Sequence, residues 1–222
     1  MMVTMNPSAA ARSRGLVPWW HGATAAIAAV ALVGQIVLVV DSGDGLLDFF
    51  SYFTIQSNLL VLATSVVLAT GREPDSRGWR VLRLAALVGI TVTGLVYATL
   101  IGPYVSFEGI TWWYDKAFHY VVPLLAVVGH VWVGPRPRFV PADLVVLAWP
   151  VAWLAYTLAR SEWGDPSFAA NDGSVSRVPY DFLSTDLNGA GSVAVTCVGL
   201  TLGMLLVAGA YIRWSHRDRP AA

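Results

Sequence analysis

The stretch Tyr52-Phe53-Thr54-Ile55-Gln56-Ser57-Asn58 opens the second of six apolar runs in the chain. Most residues from Ser51 to Asn58 carry a hydroxyl or an amide, and Leu59 to Thr70 is then almost wholly apolar. On a helix, Ser51, Thr54 and Asn58 fall at i, i+3 and i+7 and share one face. A lipid-spanning helix turns such a stripe inward, because an unpaired polar group in hydrocarbon costs several kcal/mol. The side chain expected to meet it is His119, which enters a later apolar run at a similar depth.

The composition explains why these runs read as membrane helices. The 222 residues are 56% hydrophobic and 13% charged, against about 25% charged in soluble domains. The runs cover roughly 20–41, 50–70, 80–102, 117–134, 141–160 and 189–212, each about the length that crosses a bilayer core. The expectation is an all-α integral membrane protein with six transmembrane helices. Residues 1–18 read as a disordered cytoplasmic tail, 19–213 as one membrane domain and 214–222 as a second cytoplasmic tail, leaving no room for a soluble domain. The first run is too long for a signal-peptide core and reads as an uncleaved helix.

Charge orients the spans. With the N-terminus inside, eleven basic residues fall in inner segments, against Lys116, Arg160 and Arg177 outside. That asymmetry predicts an N-in, C-in, multi-pass protein of the inner (plasma) membrane, and ten of the fourteen acidic residues lie on the outer side. Thirteen Arg to one Lys points to a GC-rich bacterial genome.

The fourth run carries the clearest spacing. Asp115 and His119 stand at i and i+4 on one helix face, so the carboxylate can hold the imidazole in one tautomer. Pro123 removes the N–H that His119's carbonyl would accept and is expected to kink the helix. His130, eleven residues on, lies about 16 Å deeper, too far to share a metal with His119, and reads as an inner-interface residue. The acidic loop Asp41 to Asp48 lacks the distal Glu of a calcium loop. The chain has no P-loop, nucleotide fingerprint, G-x-S-x-G elbow, H-E-x-x-H pattern or basic nucleic-acid patch. No cofactor and no metal are implied. Trp153 and the long segment 161–188, with Tyr180 and Phe182, are candidates to wall a binding pocket. Gly199 and Gly203 have the G-x-x-x-G spacing of close helix contacts, which leaves a homo-oligomer open.

Three motifs, in order, carry a resemblance: Tyr52 to Leu60 (YFTIQSNLL), Phe118 to Pro123 (FHYVVP) and Val178 to Leu183 (VPYDFL). With them the chain resembles the androgen-induced protein family of six-span membrane proteins and its bacterial relatives, over essentially its whole length. Eukaryotic members are intramembrane threonine hydrolases of fatty acid esters of hydroxy fatty acids. The resemblance implies Thr54 as nucleophile and His119 as the paired base. The chain departs from the family's usual Pro-Tyr-Pro-Phe by placing Asp181 at the second proline.

The expected function is therefore hydrolysis of lipid-like fatty acyl esters, with Thr54 attacking and His119 moving the proton. Asp115 is expected to orient His119, Asn58 to donate to the oxyanion, and Ser51 to support the polar face. The alternative is a non-enzymatic protein that binds a lipid or small amphiphile in the same outward-facing pocket. The partner in either case is a membrane lipid or amphiphilic ester.

Overall fold

A computed structural model of the chain describes residues 7–170 and 173–217, with side chains from residue 15. It is built from helices: α1 (Pro7–Ser42), the short α2 (Leu46–Ser51), α3 (Phe53–Ala69), α4 (Arg77–Val96), α5 (Gly109–Lys116), α6 (Val122–Val128), α7 (Ala148–Trp163) and α8 (Thr185–Ser215). A small hairpin, β1 (Phe168–Ala169) against β2 (Val175–Ser176), interrupts the long segment before α8. α1 begins well before residue 19, inside the stretch read as a tail; residues 1–6 and 218–222 lie outside the described residues.

Among the described residues, five helical segments are long and apolar enough to cross a membrane: 15–42, 77–104, 109–133, 141–163 and 185–215. The second apolar run is shorter as a helix, Phe53–Ala69, because Tyr52 adopts an extended conformation (φ −65°, ψ 129°) that separates it from α2.

α3 is the central strut, packed between α1 and α4. Small residues make the contact close. Ala28 of α1, Val61 of α3, Ala86 and Ile90 of α4, and Val122 and Ala126 of α6 form one buried cluster. Gly89 of α4 faces α3 and α7: a Cβ there would stand 2.9 Å from Ser57 Oγ and from the Trp149 ring. α8 closes the bundle through Ala208 and Tyr211, while Val195, Val198, Leu202 and Leu206 face outward, as a lipid-facing helix requires. A methyl added at Gly199 or Gly203 would meet nothing within 4 Å, so this chain makes no close helix contact there.

The long α4 and the α5–α6 helix each widen into a π-helical turn, at Tyr97–Ile101 and Ala117–Val121, and another follows α6 at Gly129–Val133. Pro123 accounts for the second. With no N–H on Pro123 and the Val122 N–H drawn to Ala117 O, the Phe118 carbonyl is left without its helical donor. The expected kink is realised as this widened turn.

Gly89→Ala should overpack the α3–α4–α7 contact and lower stability by about 1–3 kcal/mol. Gly78→Ala, where a methyl meets nothing within 4 Å, should leave it the same or raise it by up to about 1 kcal/mol. Thermal unfolding of the detergent-solubilised variants checks both.

Candidate functional site

The break at Tyr52 turns the N-terminus of α3 toward the π-helical turn that carries His119. Thr54, second residue of α3, is thereby brought to a 3.3 Å contact between its Oγ1 and His119 Nε2. On the far side of the imidazole, Nδ1 lies 2.9 Å from Asp115 Oδ1 and 3.0 Å from the Asp115 carbonyl. Both neighbours of Nδ1 are acceptors, so the proton sits on Nδ1 and the Nε2 lone pair faces the threonine hydroxyl.

Asp115 is 6% exposed, and its other oxygen is fully engaged. Oδ2 accepts from Tyr97 Oη at 2.6 Å and from Lys116 Nζ at 2.8 Å. The Tyr97 ring also stacks on His119, with centroids 3.8 Å apart and planes 13° from parallel. Lys116 Nζ stands over the rings of Tyr97, Trp112 and Tyr120. The carboxylate is thus neutralised by one lysine and held by three donors.

Tyr180 approaches Thr54 from the long segment. Its hydroxyl accepts from the Thr54 backbone N–H at 3.2 Å and lies 3.3 Å from Thr54 Oγ1. Burial pushes this phenol above the ordinary tyrosine range, so its proton is retained for donation. The oxygen rests at the N-terminus of α3, where the aligned peptide dipoles of the helix give a local positive potential.

These groups line a cavity of about 650 Å³, within the size range of small-ligand pockets. Thr54, His119, Asp115 and Tyr180 supply its reactive wall. Apolar side chains, including Val39, Phe49, Ile55, Ile101 and Phe118, supply most of the rest, and the β1–β2 hairpin covers one side. Gln35 of α1 also reaches it.

Three expected site residues stand elsewhere. Ser51 lies before the Tyr52 break, so it does not continue the Thr54 face. It is buried against α7, donating to Leu47 O (2.6 Å), accepting from Arg160 Nη1 (3.1 Å) and meeting Tyr156 Oη (3.0 Å). Trp153 and Phe182 do not line the cavity. Trp153 donates to Ser51 O (2.8 Å) and packs on Phe53, while Phe182 stacks on Tyr180 at 5.2 Å, so both buttress the wall from behind. Asn58 has a different task from the expected one. Its Nδ2 donates to Thr54 O (2.9 Å) and to the Phe118 carbonyl freed by the π turn (3.3 Å), and the residue is fully buried. It ties α3 to the His119 helix and has no donor to spare for an oxyanion.

Sequence reading missed Tyr97, Lys116 and the hairpin. Tyr97 was legible as a hydroxyl at the same end of a neighbouring span; the hairpin carries no motif. Asp48, read only as part of an acidic loop, pairs with Arg160 (2.6 Å) and accepts from Ser167 N (3.3 Å), anchoring the long segment beside the cavity.

Comparison with known proteins adds no relative. No family model, no curated protein and no solved structure matches the chain.

The tautomer is directly measurable. In ¹⁵N-histidine-labelled protein, the neutral form of His119 should carry its proton on Nδ1 and leave Nε2 bare. Asp115→Asn, which offers an amide in place of the second carboxylate oxygen, should mix or reverse that assignment.

Proposed function

We propose that this chain is an intramembrane hydrolase of long-chain acyl esters, with Thr54 as nucleophile and His119 as general base. The single observation that carries the reading is the relay Asp115–His119–Thr54, set in the wall of a largely apolar cavity. The resemblance to the androgen-induced protein family supports the same assignment. On this reading the chain spans the plasma membrane six times, N-in and C-in. α3, at 17 residues, is about 25 Å long and makes the sixth span, and the Thr54 end of the bundle faces outward on the acidic side.

The chemistry follows from the placement of protons. Thr54 Oγ1 attacks the ester carbonyl carbon as its proton passes to His119 Nε2. The Tyr180 hydroxyl, 3.3 Å from Thr54 Oγ1, is positioned to donate to the oxyanion that forms. On collapse the C–O bond to the alcohol breaks, and the proton on Nε2 passes to the departing alkoxide. Water then repeats the sequence: Nε2 takes its proton, its oxygen bonds to the acyl carbon, and Thr54 Oγ1 recovers a proton as the acid leaves. Asp115 remains ionised throughout, stabilising the imidazolium, with Lys116 and Tyr97 holding it in place. An acyl chain fits the apolar wall, and the polar side chains of Asp44, Asp48, Ser167 and Ser174 mark the water-facing rim.

One observation favours the second reading, an amphiphile-binding protein without turnover. Both contacts of Thr54 Oγ1 are 3.3 Å, longer than the roughly 2.8 Å usual for hydroxyl donors, although catalytic contacts often tighten only around substrate.

The test is hydrolysis of long-chain fatty acyl esters by purified, folded protein. Thr54→Ala and His119→Ala should each lower kcat about 10³-fold or more with little change in unfolding temperature, and Asp115→Asn should lower kcat about 10²–10⁴-fold and also lower the unfolding temperature, because Lys116 loses its buried countercharge. Saturable amphiphile binding by folded wild type with no turnover across the ester panel would establish the second reading instead.

A further inference from the structure

A second cluster of polar side chains lies at the other end of the bundle. Arg77, Arg80 and Arg83 follow one another at three-residue intervals along the start of α4. Arg80 pairs with the buried Asp143 at 3.1 Å. Arg83 is only 3% exposed, and its Nε and Nη2 have no hydrogen-bond partner. Among the described residues the acid that acts on it is Glu73, which forms no ion pair with it and instead accepts from Trp79 Nε1 at 3.4 Å.

The identity of the two orphaned nitrogens matters. Nε–H and one Nη2–H point in parallel along a single edge of the guanidinium. That edge matches the two oxygens of a carboxylate or phosphate and grips them side-on.

His130 stands in the same cluster, within the field of the Arg83 charge. It is wholly buried, with both ring nitrogens unpartnered, between Phe139 (5.8 Å) and Tyr211 (5.4 Å). The neighbouring polar groups are already used: Tyr211 Oη meets Thr91 Oγ1 at 2.8 Å, and His21 Nε2 meets Gly134 O at 2.9 Å. The cluster therefore holds a desolvated cation whose Nε–H and Nη2–H edge meets no acceptor, and the His130 ring adds at least one further orphaned N–H. Ordered water can satisfy donors, but it does not balance a buried charge.

We propose that Arg83, with His130, forms an enclosed binding site for an oxoanion, held side-on by Arg83 Nε and Nη2. The phosphate group can come from free inorganic phosphate or from a lipid headgroup of the adjacent leaflet. The site is separate from the Thr54 cavity, since fourteen residues of α4 between Arg83 and Tyr97 span about 21 Å.

The test uses full-length protein in detergent, titrated with sodium phosphate against sodium chloride at matched ionic strength while thermal unfolding is followed. Native mass spectrometry of the gently purified protein is the second arm. A saturable rise in unfolding temperature with phosphate alone, or one phospholipid retained per chain and displaced by phosphate, supports the site. The first result without the second identifies the free anion as the source; a retained lipid identifies the headgroup. Arg83→Lys keeps the charge but lacks the fork and should abolish either signal, whereas the exposed Arg77→Lys should preserve it. Should Arg83→Lys fail to fold, His130→Phe supplies the check, with phosphate affinity reduced about tenfold. No phosphate response over chloride together with no Arg83-dependent lipid would overturn the proposal, leaving the cluster to water. A response that emerges only in Glu73→Gln would also overturn it, by showing that the chain's own carboxylate fills the edge.

Discussion

A carboxylate buried among apolar helices is stable only if its charge is balanced and its oxygens are met by donors. Asp115 is such a group, and the surrounding structure is arranged to satisfy it. Lys116 supplies the countercharge, Tyr97 a short hydrogen bond, and His119 the donor on the remaining oxygen. Each of these partners is thereby fixed. The ring of His119 is also clamped from one face by Tyr97, so its Nε2 can point in only one direction. Thr54 lies in that direction. The reactivity proposed for the threonine is in this sense a consequence of how the bundle accommodates one acidic side chain.

Two local departures from regular helix make the geometry. At Tyr52 the chain leaves the helix for one residue, and the new start of α3 presents Thr54 at its N-terminal turn, where its N–H donates to Tyr180 Oη. At Ala117–Val121 the helix widens because Pro123 cannot donate, which frees the Phe118 carbonyl. Asn58 then bonds both segments through one amide, to Thr54 O and to Phe118 O. One side chain of α3 thereby meets a carbonyl in each helix, so the two reactive groups are placed by a shared joint.

Much of this was legible in the sequence because periodicity survives where helices are regular. The i, i+4 spacing of Asp115 and His119 gave their contact directly, and low charge content with long apolar runs gave the all-helical architecture. Ser51 was misplaced because a periodic reading carries one helical phase across residues 50–70, whereas the extended Tyr52 resets it. Trp153 and Phe182, expected in the pocket wall, stand behind it, because composition does not tell a pocket wall from the layer that supports it. Asn58 was assigned to the oxyanion because a free amide was assumed; the carbonyl that occupies it is exposed only by a π turn in another helix. The burial of His130 and the lack of a partner for Arg83 depend on contacts between distant segments, and no local pattern announces them.

In the proposed mechanism the arrangement of Asp115 and His119 makes the Thr54 hydroxyl a nucleophile. The most direct measurement is treatment of the folded protein with a hydroxyl-reactive acylating probe bearing a long alkyl chain, followed by peptide mapping. One adduct is expected, on Thr54 Oγ1, lost in His119→Ala and strongly slowed in Asp115→Asn. Absence of any Thr54 adduct in folded wild type, or equal labelling of Thr54 in wild type and His119→Ala, would contradict it.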